Sequence, residues 1–476
     1  MKLSEQLLAV KSMAILQEEL VSENRLRRVL GPVSLTALGI GAIIGAGIFV
    51  LTGLAAHDFA GPSLMLSFIL AGLGCAFAGL CYAEFASMIP VAGSAYTYAY
   101  ATLGELAAWI IGWDLILEYG MASSTVAYGW SKYLLQLLGL FGIHLPIFLV
   151  SDPFSVPGAW CNVPAALVCL VVTVILVIGI RESATFNAAM VALKLVVVLF
   201  VIAVGSFYVD PSHWQPFMPN GLGGVARGAG YVFFAYIGFD SVSTHAEEAR
   251  NPQRDVPIGI LASLLLCTAL YVAVAAVLTG MVPYQQIDIN APLAAAFVHY
   301  GLSAAVFIIS VGAVAGITSV LLVLMLSQPR VFFAMARDGL LPYSFFGTVH
   351  PRFRTPHKAT ILTGTLVAIV AALFPIHALA EMVNIGTLFA FVVVCAAVWI
   401  MRYTNPNQAR PFRCPLVPLV PILGIVFNFG LMLSLGWHNW ARLTIWLGVG
   451  LVIYFGYSRF HSRLVRLTAA ARAASA

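Results

Sequence analysis

The chain has 476 residues, of which 61% are hydrophobic and 9% charged, with a formal net charge of +5. A water-soluble domain carries about a quarter charged residues, so 19 acids and 24 Lys/Arg cannot clothe a soluble surface of this size, and lipid is the solvent that fits. The same composition leaves no room for a large extramembrane catalytic unit, and the basic residues, scattered in short clusters between apolar runs, do not form a nucleic-acid-binding patch.

In chain order, residues 1–32 mix Glu5, Glu18, Glu19 and Glu23 with Lys2, Lys11, Arg25, Arg27 and Arg28. This reads as a cytoplasmic amphipathic segment rather than a cleavable signal. A membrane span needs about 20 apolar residues. Twelve runs qualify: 33–56, 62–88, 100–130, 161–180, 187–209, 223–245, 257–282, 300–333, 358–375, 379–401, 417–436 and 440–460. The splits at Pro375–Ile376 and near Trp437–Asn439 rest on short linkers. The expected fold is therefore an all-α polytopic membrane protein of twelve transmembrane helices. With the N-terminus in the cytoplasm, nearly all Lys and Arg fall in inside segments, including the tail 461–476. Lys132, Arg227 and Arg442 are left outside, and Lys194 lies within a span. The positive-inside bias favours this orientation, with both termini cytoplasmic in a plasma (bacterial inner) membrane. Seven cysteines without a CxxC pair read as small buried hydrophobes.

Two spans carry signs of interruption. The first, Leu35 to Phe49, places glycines at 39, 41, 45 and 47. Each glycine is about 1 kcal/mol worse than alanine inside a helix, which predicts a break at Ile43–Gly47. The sixth, Gly230 to Asp240, has a weaker signal: Gly238 amid four aromatics. Close helix packing through Gly41-xxx-Gly45 is the alternative explanation, but it does not account for a second interruption five spans later. Five is odd, so the sixth span crosses in the opposite sense to the first. Residues 33–209 and 223–401 then read as inverted repeats, with 417–460 as two appended helices, and matched interruptions point to a transporter's binding site. Non-helical backbone survives in a membrane only where it lines a cavity or the protein interior. A half-helix starting near Ile48 offers free N–H groups at Ala46, Gly47 and Ile48 to an anion. Half-helices ending near Ile43 and at Phe234–Ile237 offer carbonyls to an ammonium. A zwitterionic amino acid satisfies both.

These segments resemble the first and sixth helices of the amino acid–polyamine–organocation superfamily. Cys81-Tyr-Ala-Glu-Phe85, Gly93 to Tyr98, Trp113 to Gly120, Glu247 to Pro252 and Ala336 to Pro342 narrow the resemblance to the cationic amino acid transporter family, over about residues 30 to 460. The resemblance implies a LeuT-type 5+5 inverted-repeat fold with helices 1 and 6 discontinuous, and amino-acid import by alternating access. It implies that the substrate carboxylate meets the N–H groups of Ala46 and Gly47, that the amine meets carbonyls of Ile43, Phe234, Ala235 and Ile237, and that Phe234 gates the site. Gly45, Tyr236 and Gly238 complete the two interrupted segments. It implies Glu118 and Leu324 beside the substrate side chain, and Lys194 as the protonation site that stands in for a bound sodium. Ala46 departs from the family, which often carries Ser or Thr there, so weaker affinity is expected. Sterol, other membrane lipid and a small single-helix membrane protein enter as partners by resemblance alone.

Ionisable residues inside spans are functional by default. Lys194 sits near the middle of the fifth span, where burial disfavours its charge, and it is read as the proton-coupling residue, with snorkelling to an interface as the alternative. Asp114 lies one turn from Glu118 on a shared face and is read as structural. Asp240 either ties the second break or faces the pocket. Glu84 is expected to pair with a loop base, and Glu247, Glu248 and Arg250 to form a cytoplasmic gate network, with a solvated run of charges as the alternative. Leu324 fills the side-chain space, which predicts small neutral L-amino acids such as alanine, with cationic ones poorer. The chain has no GxxxxGK[ST] and no HExxH. No cofactor or metal is expected, and protons are the expected drive. An exchanger without net proton movement remains open, and a membrane-embedded enzyme is disfavoured because the histidines lie at span ends or in loops.

Overall fold

The computed structural model describes residues 3–11, 30–88, 94–179, 184–244 and 248–466. Among these the chain is helical without strands, apart from two isolated bridges, Leu30 with Ala249 and Val150 with Asn162. The main helices are α1 (Pro32–Ile43), α2 (Leu64–Met88), α3 (Ser94–Thr102), α4 (Glu105–Leu140), α5 (Val163–Ile178), α6 (Ala184–Gly205), α7 (Gly221–Val232), α8 (Pro252–Met281), α9 (Pro292–His299), α10 (Ser303–Arg337), α11 (His357–Leu373), α12 (Ile376–Thr404), α13 (Leu419–Ser434) and α14 (Trp437–Ile453). Prolines at the first turns of α1, α5, α8 and α9 explain several starts, since proline lacks only an N–H that no helix start uses. Asn162 caps α5 by accepting the Ala165 N–H at 3.2 Å. The two short linkers hold: α11 ends at Leu373 before α12 begins at Ile376, and α13 ends at Ser434 before α14 begins at Trp437.

Six helical stretches among the described residues are long and apolar enough to cross a membrane: Gly47–Met88, Ala188–Tyr208, Pro252–Met281, Ser303–Arg337, Ile376–Thr404 and Trp437–Arg466. α1, α5, α11 and α13 are shorter apolar helices. Many apolar side chains, such as Leu167, Val174, Leu265, Ile445 and Val452, are exposed on the outside of the bundle, as expected of a surface that lipid covers. The centre is polar in a selective way, with Lys194, Asp114, Glu118, Asn384 and Asn428 all buried.

The helices pair in a repeating scheme. α2 lies on α8, α4 on α10 and α5 on α11. α1 packs on α8 and α7 on α2; α6 packs on α10 and α12 on α4; α6 packs on α8 and α12 on α2. Even the short helices match, α9 resting on Gly47–Leu51 and Thr52–Ala55, and α3 on Ser241–Thr244. α13 and α14 sit outside this scheme, against α2, α12 and α4.

The apolar run 100–130 is expected to end before Lys132, which is counted in an outside segment. α4 continues to Leu140, and Lys132 is buried near its end, bonded to the Val150 carbonyl at 3.1 Å and the Ser151 hydroxyl at 3.3 Å. The helix continues through the apolar stretch Tyr133–Leu140, and the following loop supplies the acceptors for Lys132.

Candidate functional site

The first interruption falls where four glycines weaken the helix. α1 ends at Ile43, and Ile44 turns extended at φ −73°, ψ 104°. Gly45 and Ala46 cross the gap, and a wide-turn helix resumes at Gly47–Leu51, continuing through Thr52–Ala55 and Ala56–Ala60. Phe49 N–H is the first to find a backbone carbonyl again, that of Gly45 at 3.3 Å. Among the described residues, the N–H groups of Gly45, Ala46, Gly47 and Ile48 meet no backbone acceptor. All four residues are buried. Bare N–H groups at a helix start, out of reach of water, form an anion-binding end.

The second interruption follows α7. Phe233–Tyr236 tightens to a 3-10 turn, Ile237 turns extended, and Gly238 takes φ +114°. That conformation is strained for any residue with a Cβ. A Cβ there would also sit 2.8 Å from the Ala42 carbonyl oxygen. The chain then turns through Asp240 into the short helix Ser241–Thr244.

The two gaps touch. A Cβ on Gly47 would overlap the backbone Cα of Ala235, so only glycine lets these segments cross. Gly45 lies against Val320 of α10, and Leu324 is one turn further along that helix. The carbonyls freed at the end of α1 are taken by side chains from two other helices. Lys194 of α6, at 0% exposure, donates to the Gly41 carbonyl at 2.7 Å. Tyr271 of α8 places its hydroxyl 3.0 Å from the Ile43 carbonyl and 2.9 Å from that of Ala235, so one O–H links both gaps. A cation at a helix C-terminus is also favoured by the helix dipole. Lys194 therefore does not snorkel; it caps α1 from inside the bundle.

The remaining residues spread around this centre. Phe234, Ala235 and Ile237 are buried at the second gap. Tyr236 turns away to donate to the Phe68 carbonyl at 2.7 Å and packs on Tyr271. Glu118 and Asp114 are buried on α4. Thr387 of α12 is within hydrogen-bond reach of Glu118, and Asp240 lies close enough to act on its charge. Glu84 pairs with Arg402 in a two-pronged bridge, at 3.0 and 2.7 Å, and with Arg410 at 3.2 Å, as expected of a carboxylate near a basic loop. The Arg250 N–H bonds the Leu30 carbonyl at 2.8 Å. Glu247 lies outside the described residues.

Sequence reading missed Tyr271 and Asn384. The Asn384 amide donates at 2.9 Å to the carbonyls of Gly230 and Tyr231, near the end of α7. The only signal for either was a polar tip within an otherwise apolar run.

A family profile described as amino acid permease matches residues 30–454. The branched-chain amino acid permease BcaP of Bacillus subtilis (strain 168) is 52% identical, over 93% of this chain and 95% of that relative. The methylthioribose transporter of the same organism is 49% identical, over 92% and 95%. The vacuolar cationic amino acid transporter 4 of Arabidopsis thaliana is 41% identical, over 93% of each chain.

Proposed function

The chain belongs to the amino acid permease family, and from that premise we propose that it is a proton–amino acid symporter importing small neutral L-amino acids such as alanine by alternating access. The observation that carries this reading is the meeting of two interrupted helices at a buried centre, with bare N–H groups at Gly45–Ile48 on one side and the carbonyls of Ile43 and Ala235 on the other. The N–H groups suit a carboxylate and the carbonyls an ammonium, the two ends of an α-amino acid.

The twelve-span LeuT-type architecture belongs to the same proposal. Exchanging 33–209 for 223–401 maps the α1–α8 pairing onto α7–α2, α6–α10 onto α12–α4, and α9 on the first broken helix onto α3 on the second. Such an exchange relates two repeats that face each other across the site. Residues 1–32 and 461–476 lie on the cytoplasmic side of a plasma membrane, as the Lys/Arg bias asks.

Lys194 supplies the coupling. Its protonated amine holds α6 to the end of α1 through the Gly41 carbonyl. Losing the proton removes charge and one donor, which loosens α1 and links proton release to opening. Phe234 closes over the substrate, while Glu118 and Leu324 border its side chain. The relatives' names point to three further substrate classes: branched-chain amino acids, methylthioribose and cationic amino acids.

Proteoliposomes with an imposed pH gradient test this. Labelled alanine should accumulate without counter-substrate, and Lys194→Ala should reduce that accumulation to background while the protein still binds alanine. Accumulation that needs internal amino acid, and survives Lys194→Ala, would make the protein an exchanger. Competition among alanine, leucine, arginine and methylthioribose fixes the substrate, with Leu324→Ser expected to shift preference towards arginine. Arginine outcompeting alanine in the unmutated protein overturns the small-neutral assignment.

A further inference from the structure

Among the described residues, Asp114 stands out as a buried carboxyl group with both oxygens unbonded. It is at 0% exposure, and neither carboxyl oxygen meets a hydrogen-bond donor. A carboxylate kept for structure is bonded, as Glu84 is by two arginines and the Cys414 N–H. Leaving a buried charge without partners is costly, and such a residue in a membrane marks a proton or ion path by default.

Its surroundings make room for it without satisfying it. Asp114 faces Gly386 of α12, where a Cβ would sit 2.9 Å from Asp114 Oδ1. One turn along α4 is Glu118, which feels the charges of both Asp114 and Asp240 and has Thr387, next to Gly386, in reach. On the elements packed against α4, Tyr96 of α3 is bonded to Asp338 and Arg402 of α12 to Glu84, the Tyr98 hydroxyl of α3 is buried without a hydrogen-bond partner, and α10 brings Arg330 and Arg337. Tyr82 of α2 lies within reach of the Glu118 and Asp240 charges. Asp114 lies one turn from Glu118 on the side of the α4 start, the end that the charge bias assigns to the cytoplasm, and the Glu118 and Asp240 charges act on one another.

Resting on the symport reading above, we propose that Asp114 is a second proton-carrying residue, which passes the proton between the Glu118–Asp240 group and the cytoplasm. Each step breaks one O–H bond on a carboxyl and forms one on the next oxygen, carboxyl or water. No other bond changes.

Asp114→Asn keeps the size and a neutral group but cannot release a proton. In proteoliposomes, its alanine counterflow should stay within about twofold of the unmutated protein. Its pH-gradient-driven accumulation should fall at least fivefold, with a flattened dependence on pH, and Asp114→Glu should restore part of both. Unchanged accumulation and pH profile in Asp114→Asn overturn the proposal. So does a parallel loss of counterflow, accumulation and melting temperature in both variants, because that pattern is packing. An unmutated protein that shows counterflow but no gradient-driven accumulation removes the symport reading itself, and this proposal with it.

Discussion

The two helix gaps reach one result by different means. The first is opened by missing side chains: four glycines in nine residues remove helix propensity, and Gly47 lets the Ala235 backbone come into contact. The second contains a single glycine among aromatics and is held by residues from elsewhere. Asn384 takes the Gly230 and Tyr231 carbonyls, Tyr271 takes that of Ala235, and Tyr236 is drawn to Phe68. A gap can thus be written locally, in composition, or distributed over distant helices, and only the first kind is conspicuous in sequence.

The comparison predicts which substitutions hurt and why. The largest effect is expected from Gly47→Ala, because the added carbon meets backbone that cannot rotate away. Overpacking of this kind costs about 1–3 kcal/mol, and uptake should fall to background with a lowered melting temperature. Gly238→Ala comes next. It combines the strained φ of +114° with a clash at the Ala42 carbonyl, about 1–3 kcal/mol by strain alone, and loss of most uptake is expected in the same assay. Tyr271→Phe sharpens the contrast. It adds no bulk and removes only the hydroxyl shared by the two gaps, leaving buried acceptors short of a donor at about 1–3 kcal/mol. Alanine affinity, read by ligand-induced thermal stabilisation, should weaken about tenfold while the fold persists. Asn384→Leu should act only on the second gap and add to Gly45→Ala rather than couple with it. Gly45→Ala is the mildest, because its new neighbour is a Val320 methyl at 3.0 Å that can give way; a change of less than about twofold in uptake is expected. If Gly45→Ala proved as damaging as Gly47→Ala, the distinction between backbone and side-chain contact would fail.

The charged residues repeat the lesson. Lys194 and Glu84 were both recognisable as unusual, the first for lying in a span and the second for sitting near a basic loop. The bond from Lys194 to Gly41 could not be foreseen, because the two are 153 residues apart. Asp114 is read as structural, and its spacing with Glu118 says only that the two share a face. Spacing reports which residues share a face but not which donors come to meet them, and here none does. The partners of Lys132 escape the sequence for a related reason: its burial depends on a loop folding back, which apolar run length does not register.

Composition and periodicity by themselves determined that this chain lives in lipid, roughly where its helices begin and end, and that the first is broken at mid-run, because solvent preference and helix propensity are properties of short stretches. Tertiary structure decided that the two gaps touch, that Tyr271 and Lys194 take up the carbonyls at the end of α1, and that Asp114 is left bare. Those outcomes depend on which helices become neighbours, and a hydrogen bond between residues far apart in the chain leaves no mark in local sequence.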